Sequence, residues 1–262
     1  MKENKHLDLE HTIKELIASK RVPIHDWYGN HVKIGVVSDT HIGSLYERND
    51  FLRDLYKIFH KEGIKEVYHC GDMVDGENMY RGQEYEIYVN GADGQTNAAK
   101  DRYPNYKDIT TFFITGNHDL SFWKRSGVDI GNIISEKRKD LVYLGQEEKD
   151  VIIGGKNKVK LRLCHPGKGA SYALSYHFQK YIESLSGGRK PHVLLMGHYH
   201  KALYMPCYRN VFTIGAGCVQ SQTSYMRRNN LSAHIGGWIL DMRIGKNGIT
   251  QFQANFIPYY ER

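Results

Sequence analysis

Short apolar runs rich in β-branched residues alternate along the chain with longer stretches of helical spacing. Residues 32–37, Val-Lys-Ile-Gly-Val-Val, read as a strand, as do 67–70 and 111–115. Between the first two, Phe51, Leu52, Leu55, Ile58 and Phe59 fall on one face of a helix predicted over 50–62. A further helix is predicted over 128–138 and another over 170–185, with strands at 151–153, 159–164, 193–196 and 211–214. The chain closes with strands at 237–244 and 249–257 around the turn Gly245-Lys246-Asn247-Gly248. Residues 7–20 also carry helical spacing, broken at Val22-Pro23. Residues 76–107 are rich in Tyr, Gly and Asn and show little periodicity. Alternating strands and helices argue for an α/β fold, and the strand-rich second half argues for two packed sheets.

This pattern divides the chain into an N-terminal helical extension, 1–31, and one domain, 32–262, with 76–107 as an insertion. No apolar run reaches the ~18 residues of a membrane-spanning helix. The opening residues are polar and lack the apolar centre of a signal peptide, so the expected location is cytoplasmic, with no membrane partner. Cys70, Cys164, Cys207 and Cys218 form no CxxC pair, which excludes a zinc knuckle of that type and points to reduced thiols.

Charge adds a direction. The net charge is +7, but residues 151–262 hold 15 basic and 3 acidic side chains, a balance of +12. A basic half of this kind suits an anionic partner, nucleic acid first among them, although a solvated face needs no partner.

Five strands run into short polar clusters. They are Ser38-Asp39-Thr40-His41, Gly71-Asp72-Met73-Val74-Asp75-Gly76, Gly116-Asn117-His118-Asp119, Cys164-His165-Pro166-Gly167 and Gly197-His198-Tyr199-His200. In α/β sheets, loops at the carboxyl ends of strands converge on one site. Imidazole and carboxylate together suit transition metals. An extended chain would put Asp39 and His41 on one side, and likewise His198 and His200, making each pair a two-ligand clip.

The order D-x-H, GD-x-x-D-G, GNHD, H, GH-x-H resembles the calcineurin-like metallophosphoesterase superfamily over residues 32–218. The resemblance implies a four-layer α-β-β-α sandwich with two mixed sheets and a site for two divalent ions. Asp39, His41 and His200 would hold one ion; Asn117, His165 and His198 would hold the other; Asp72 would bridge them. His118 would contact the phosphoryl oxygens or protonate the leaving group, and Asp119 would orient His118. Mn²⁺ is the expected metal, with Fe or Zn compatible with the same donors. Two such ions clamp both oxygens of an in-line displacement and activate water.

The resemblance also narrows the substrate. Protein phosphatases of the superfamily read D-x-H-G, GD-x-V-D-R-G and GNHE. Here Ile42 precedes Gly43, Gly76 stands where the phosphate-gripping Arg would be, and Asp119 ends the third cluster. The chain is more similar to the DNA-repair nuclease branch, so the expected activity is a phosphodiesterase acting on DNA. The alternatives are a phosphomonoesterase or nucleotide hydrolase, and a dormant metal-binding scaffold.

Tyr80, Tyr85, Tyr88, Tyr103 and Tyr106 in the insertion, with Phe122, Trp123, Lys124 and Arg125, either stack bases or pack the insertion onto the domain. Arg227 and Arg228 either meet phosphates or are surface charge. Asp75 is either a partner that orients a ligand His or a turn residue. His69 and His177 are expected to be structural. Residues 165–169 lack the spacing of a phosphate-binding loop, and Lys168 is a turn lysine or a substrate contact. Residues 1–31 are a possible contact for a protein partner.

Overall fold

The computed structural model of the protein describes residues 30–167, 169 and 171–261. The helix expected over 7–20 and Lys168 lie outside them.

β1 (Asn30–Val37) leads into α1 (Asn49–Lys61) and β2 (Glu66–His69). The helix packs Leu52, Leu55, Tyr56 and Phe59, spaced to fall on one stripe, into the core. Residues 76–107 hold α2 (Ala92–Arg102). β3 (Thr110–Thr115), α3 (Leu120–Ser126), α4 (Ile130–Lys137) and β4 (Leu141–Gln146) complete the first half. The second half contains β5 (Glu148–Ile153), β6 (Val159–Cys164), α5 (Tyr176–Ser184) and β7 (Val193–Met196). It continues through β8 (Ala202–Tyr208), β9 (Val211–Ala216), α6 (Ser224–Arg228), β10 (Gly236–Gly245) and β11 (Gly248–Pro258).

The strands form two sheets, ordered β11-β10-β1-β2-β3-β4 and β5-β6-β7-β9-β8. Both are mixed. β1, β2, β3 and β4 run parallel, as do β6, β7 and β9, while β10, β11, β5 and β8 pair antiparallel. Between the sheets, Ile34, Val36, Tyr68 and Ile114 of the first meet Leu161, Leu163, Leu195 and Ile214 of the second. Outside the first sheet, α1 and α4 pack on Val37, Val67 and Phe113. Outside the second, Phe178 and Ile182 of α5 pack on Leu194 and Met196. The result is the expected α-β-β-α sandwich, in which each sheet is covered on both faces.

Three expectations shift. The helix foreseen over 170–185 starts only at Tyr176, because the Ser171 hydroxyl donates to the Ala173 carbonyl and holds a turn instead. β1 starts at Asn30, two residues inside the proposed extension. The aperiodic stretch 76–107 contains α2, whose buried face is Gln95, Thr96 and Ala99. Gln95 spends its amide on the backbone of Gly76 and Val89, so a polar side chain does the anchoring that an apolar one does elsewhere. Cys70, Cys164 and Cys218 are buried, Cys207 is exposed, and all four are unpaired. No helix among the described residues is long and apolar enough to cross a membrane.

Candidate metal centre

Each of the five polar clusters leaves the carboxyl end of a strand. β1, β2 and β3 are neighbours in the first sheet, and β6 and β7 are neighbours in the second. The loops after β1 and β2 continue the ladder: Asp39 N–H donates to Gly71 O at 3.0 Å and His41 N–H to Asp72 O at 3.1 Å. The two sheets are tied across the site by His198 N–H, which donates to the Asp39 carboxylate at 3.1 Å.

The backbone is bent sharply where the donors sit. Asp39, His41, Asp72, His198 and His200 all have positive φ, between 45° and 76°. Left-handed geometry costs a non-glycine residue on the order of 1 kcal/mol or more, and such strain concentrates at functional sites. This corrects the extended-clip expectation. Asp39 and His41 do converge on one point, but through left-handed turns, and His198 and His200 diverge into different donor groups.

Two glycines of the clusters are there for space. A Cβ on Gly71 would lie 2.4 Å from His165 Nδ1, and one on Gly116 would lie 2.3 Å from Asp72 Oδ1.

The donors fall into three overlapping groups: Asp39, His41 and His200; His41, Asp72 and His118; Asp72, His165 and His198. Within each group the donor atoms lie within 4.8 Å of one another. Asn117 joins the last group, its Oδ1 standing 3.1 Å from His165 Nε2. His41 Nε2 and His200 Nε2 face each other at 3.3 Å, and His200 Nε2 is 3.2 Å from Asp39 Oδ1.

Outer contacts aim these rings. His165 Nδ1 donates to the Cys70 carbonyl at 2.7 Å, which leaves Nε2 toward Asp72 Oδ2 at 3.0 Å. His41 Nδ1 meets Asp75 Oδ1 at 3.1 Å. A ring whose Nδ1 proton is held this way presents an Nε2 lone pair, the form a metal requires. A set of buried carboxylates and inward-facing imidazole nitrogens of this density fits divalent cations.

The electrostatics match. Burial opposes charge on Asp39, yet His200 beside it holds the carboxyl far below its usual range. Burial likewise opposes charge on Asp72, and His165 outweighs it. The reverse holds for His165: burial disfavours its charged form, but Asp72 raises its pKa to about 9.

His118 lines the same cleft, and its Nδ1 donates to the main-chain oxygen of Asp75 at 2.6 Å. The expected contact with Asp119 is not the one His118 makes. The buried Asp119 carboxylate instead accepts from the main-chain N–H groups of Met73, Val74 and Gly116, tying the second cluster to the third. Burial, with Asp72 nearby, raises its pKa to about 7.

His69 is a structural residue. Burial lowers its pKa to about 3, and its ring contacts the Thr40 hydroxyl and the Gly71 N–H. His177 stacks on Tyr199 at 4.6 Å.

The sequence alone does not decide the place of Asp75 and gives no sign of Gln83 and Gln220. Gln83 Nε2 donates to Asp75 Oδ2 at 3.0 Å, and Gln220 Nε2 reaches Asp75 Oδ1 at 3.5 Å. The GD-x-x-D spacing was the available signal for Asp75. The glutamines stand in no cluster and carried none.

The calcineurin-like phosphoesterase superfamily domain matches residues 32–231. The DNA polymerase II small subunit of Archaeoglobus fulgidus is 25% identical to this chain, covering 76% of it and 49% of that protein. The protein of the same name from Methanothermobacter thermautotrophicus is 26% identical, covering 78% and 50%. The chain thus spans about half the length of the curated relatives it matches. Among solved structures, a phosphatase from Mycoplasma pneumoniae aligns with a TM-score of 0.43 at 14% identity, covering 88% of this chain and 94% of that one. With the family match running over most of its length, the protein belongs to the calcineurin-like phosphoesterase superfamily.

Proposed function

We propose that the protein is a metal-dependent phosphodiesterase that cleaves DNA. The observation that carries this reading is the convergence of donors from five strand ends on one cleft, with Asp72 in two of the three groups. In this reading Asp39, His41 and His200 would hold one divalent ion, Asn117, His165 and His198 would hold a second, and Asp72 would serve both. Bound divalent ions supply charge stabilisation for an in-line displacement and activate water; Mn²⁺ suits the mixed oxygen and nitrogen donors. His118, with Nδ1–H held by the Asp75 carbonyl, carries a proton on Nε2 for the leaving oxygen.

DNA is the preferred substrate for two reasons. The matched relatives are named as DNA polymerase subunits, and the second half of the chain is strongly basic. The same relatives suggest a protein partner, with residues 1–31 as the proposed contact. Unpaired cysteines suit a reducing cytoplasm.

A phosphomonoesterase acting on small esters is the second reading, favoured by a cleft of only about 280 Å³. Parallel hydrolysis of bis(p-nitrophenyl) phosphate and p-nitrophenyl phosphate with Mn²⁺ separates the two. Diester turnover, and oligonucleotide cleavage that falls steeply as salt rises, support the proposal. Monoester turnover beside an intact oligonucleotide overturns it.

A further inference from the structure

The cleft that holds the candidate metal centre is also lined by apolar and aromatic side chains. Met79 and Tyr80 come from the insertion, Tyr225 and Met226 from α6, and Leu231 from the segment after it. These segments are far apart in sequence and meet over the cleft. The rings of Tyr80 and Tyr225 stack with centroids 4.9 Å apart and an angle of 27°.

The two tyrosines are held differently. The Tyr80 hydroxyl donates to Glu86 Oε2 at 2.7 Å, and Glu86 is itself buried. Tyr80 is therefore a fixed base for the stack. Tyr225 is 40% exposed although it lines the cleft. Its helix is anchored from below, where Thr223 Oγ1 accepts from Met226 N–H at 3.1 Å and Met226 is buried. A packing residue would bury its ring. This one rests on a rigid partner and keeps surface open beside a site lined by His41, Asp72, Asn117, His118, His198 and His200.

We propose that the Tyr80–Tyr225 stack binds a nucleobase next to the scissile phosphate, so that the cleft accepts an unpaired nucleotide and excludes a duplex. The inference rests on the reading of this cleft as a phosphodiesterase site for DNA. Aromatic faces stack any base, which gives affinity without sequence choice. A paired base has its faces covered by its neighbours in the duplex, so an unpaired one is what offers a face to the ring, and the cleft of about 280 Å³ is of a size for one nucleotide. The flanking methionines adapt to purine or pyrimidine outlines, since their side chains are flexible and polarisable.

The test compares a short fluorescent single strand carrying ordinary bases with the same backbone carrying abasic residues. Binding is read by anisotropy in Ca²⁺ and cleavage is followed in Mn²⁺. Stacking of one base is worth about tenfold or more in affinity. The wild-type protein should therefore bind the ordinary strand about tenfold more tightly than the abasic one, and bind a blunt duplex no better than the abasic one. Tyr225→Ala should bring the ordinary strand to the abasic level while leaving the abasic strand unchanged, and Tyr225→Trp should restore the difference. Equal wild-type binding of ordinary and abasic strands overturns this inference alone and needs no variant to fold. Failure to bind either strand overturns the assignment of DNA as substrate, and this inference with it.

Discussion

His118 donates its Nδ1 proton to the main-chain oxygen of Asp75 over 2.6 Å, and the Asp75 carboxylate meets the Nδ1 side of His41 at 3.1 Å. One residue thus serves two rings with two different groups. A carbonyl only accepts, so Nδ1 of His118 carries a proton, and Nε2 is the nitrogen that the proposed proton transfer would use. The carboxylate separately fixes the ring that offers its Nε2 to the metal side.

Removing the acid should therefore leave the metals in place. His118→Ala is expected to lower turnover by about 10²–10⁴-fold while the metal content per chain is unchanged. Elemental analysis of the purified variant checks this. Loss of an ion would make His118 a ligand, as its grouping with His41 and Asp72 permits.

The two functions of Asp75 can be separated. Asp75→Asn keeps the main-chain oxygen that holds His118 but replaces the carboxylate that faces His41, Gln83 and Gln220. Metal affinity or turnover should fall about 10–100-fold, the usual effect of losing a partner behind a ligand histidine. Saturating Mn²⁺ should restore most of the turnover. A defect that persists at saturation would mean that the carboxylate, and not the carbonyl alone, governs His118.

Asp119 offers a stability test. It accepts three main-chain N–H groups in a buried position, and an amide nitrogen at that place would face donors. Asp119→Asn should lower the unfolding free energy by about 1–3 kcal/mol, read from denaturant or thermal unfolding. Unchanged stability with lost turnover would show that Asp119 acts on the reaction and does not hold the loops together.

Metal binding should depend on pH with a defined sign. In the metal-free protein His165 keeps its proton up to about pH 9, because Asp72 outweighs the burial that opposes its charge. Burial also opposes charge on His200, but Cys218 and Asp39 hold its pKa well above the ordinary value. A metal ion must displace these protons. Apparent affinity should rise with pH from 6 to about 9, by about tenfold per unit for each proton displaced. Calorimetric titration with Mn²⁺ in buffers of different ionisation enthalpy should report proton release. Flat affinity without release would contradict the assigned ligands.

The polar clusters at strand ends were legible in the sequence because apolar β-branched runs and metal-type side chains announce both the strand and its tip. The layer order followed from the family resemblance. Less visible were elements whose stabilisation is polar or peripheral. α2 buries Gln95 and Thr96 and shows no apolar stripe. β8 is an edge strand, partly exposed, with Pro206 inside it. β4 carries Gly145 beside a break in register with β3. At the site, the residues missed act through main-chain oxygens or amides. The carbonyls of Cys70 and Asp75 position His165 and His118, yet any residue type has a carbonyl. The contacts of Asp119 are hidden for a related reason. Adjacency to His118 in sequence suggested contact, whereas its side chain turns back to the loop after β2.

The most direct test of the account is cleavage of a 5′-labelled single-stranded DNA by the wild-type protein and by Asp72→Asn, with Mn²⁺ supplied and the bound metal counted in both. The account predicts two ions per wild-type chain, cleavage of the strand, and loss of both the second ion and the cleavage in the variant. An intact strand with two ions bound to the wild type, or equal cleavage by both proteins, would contradict it.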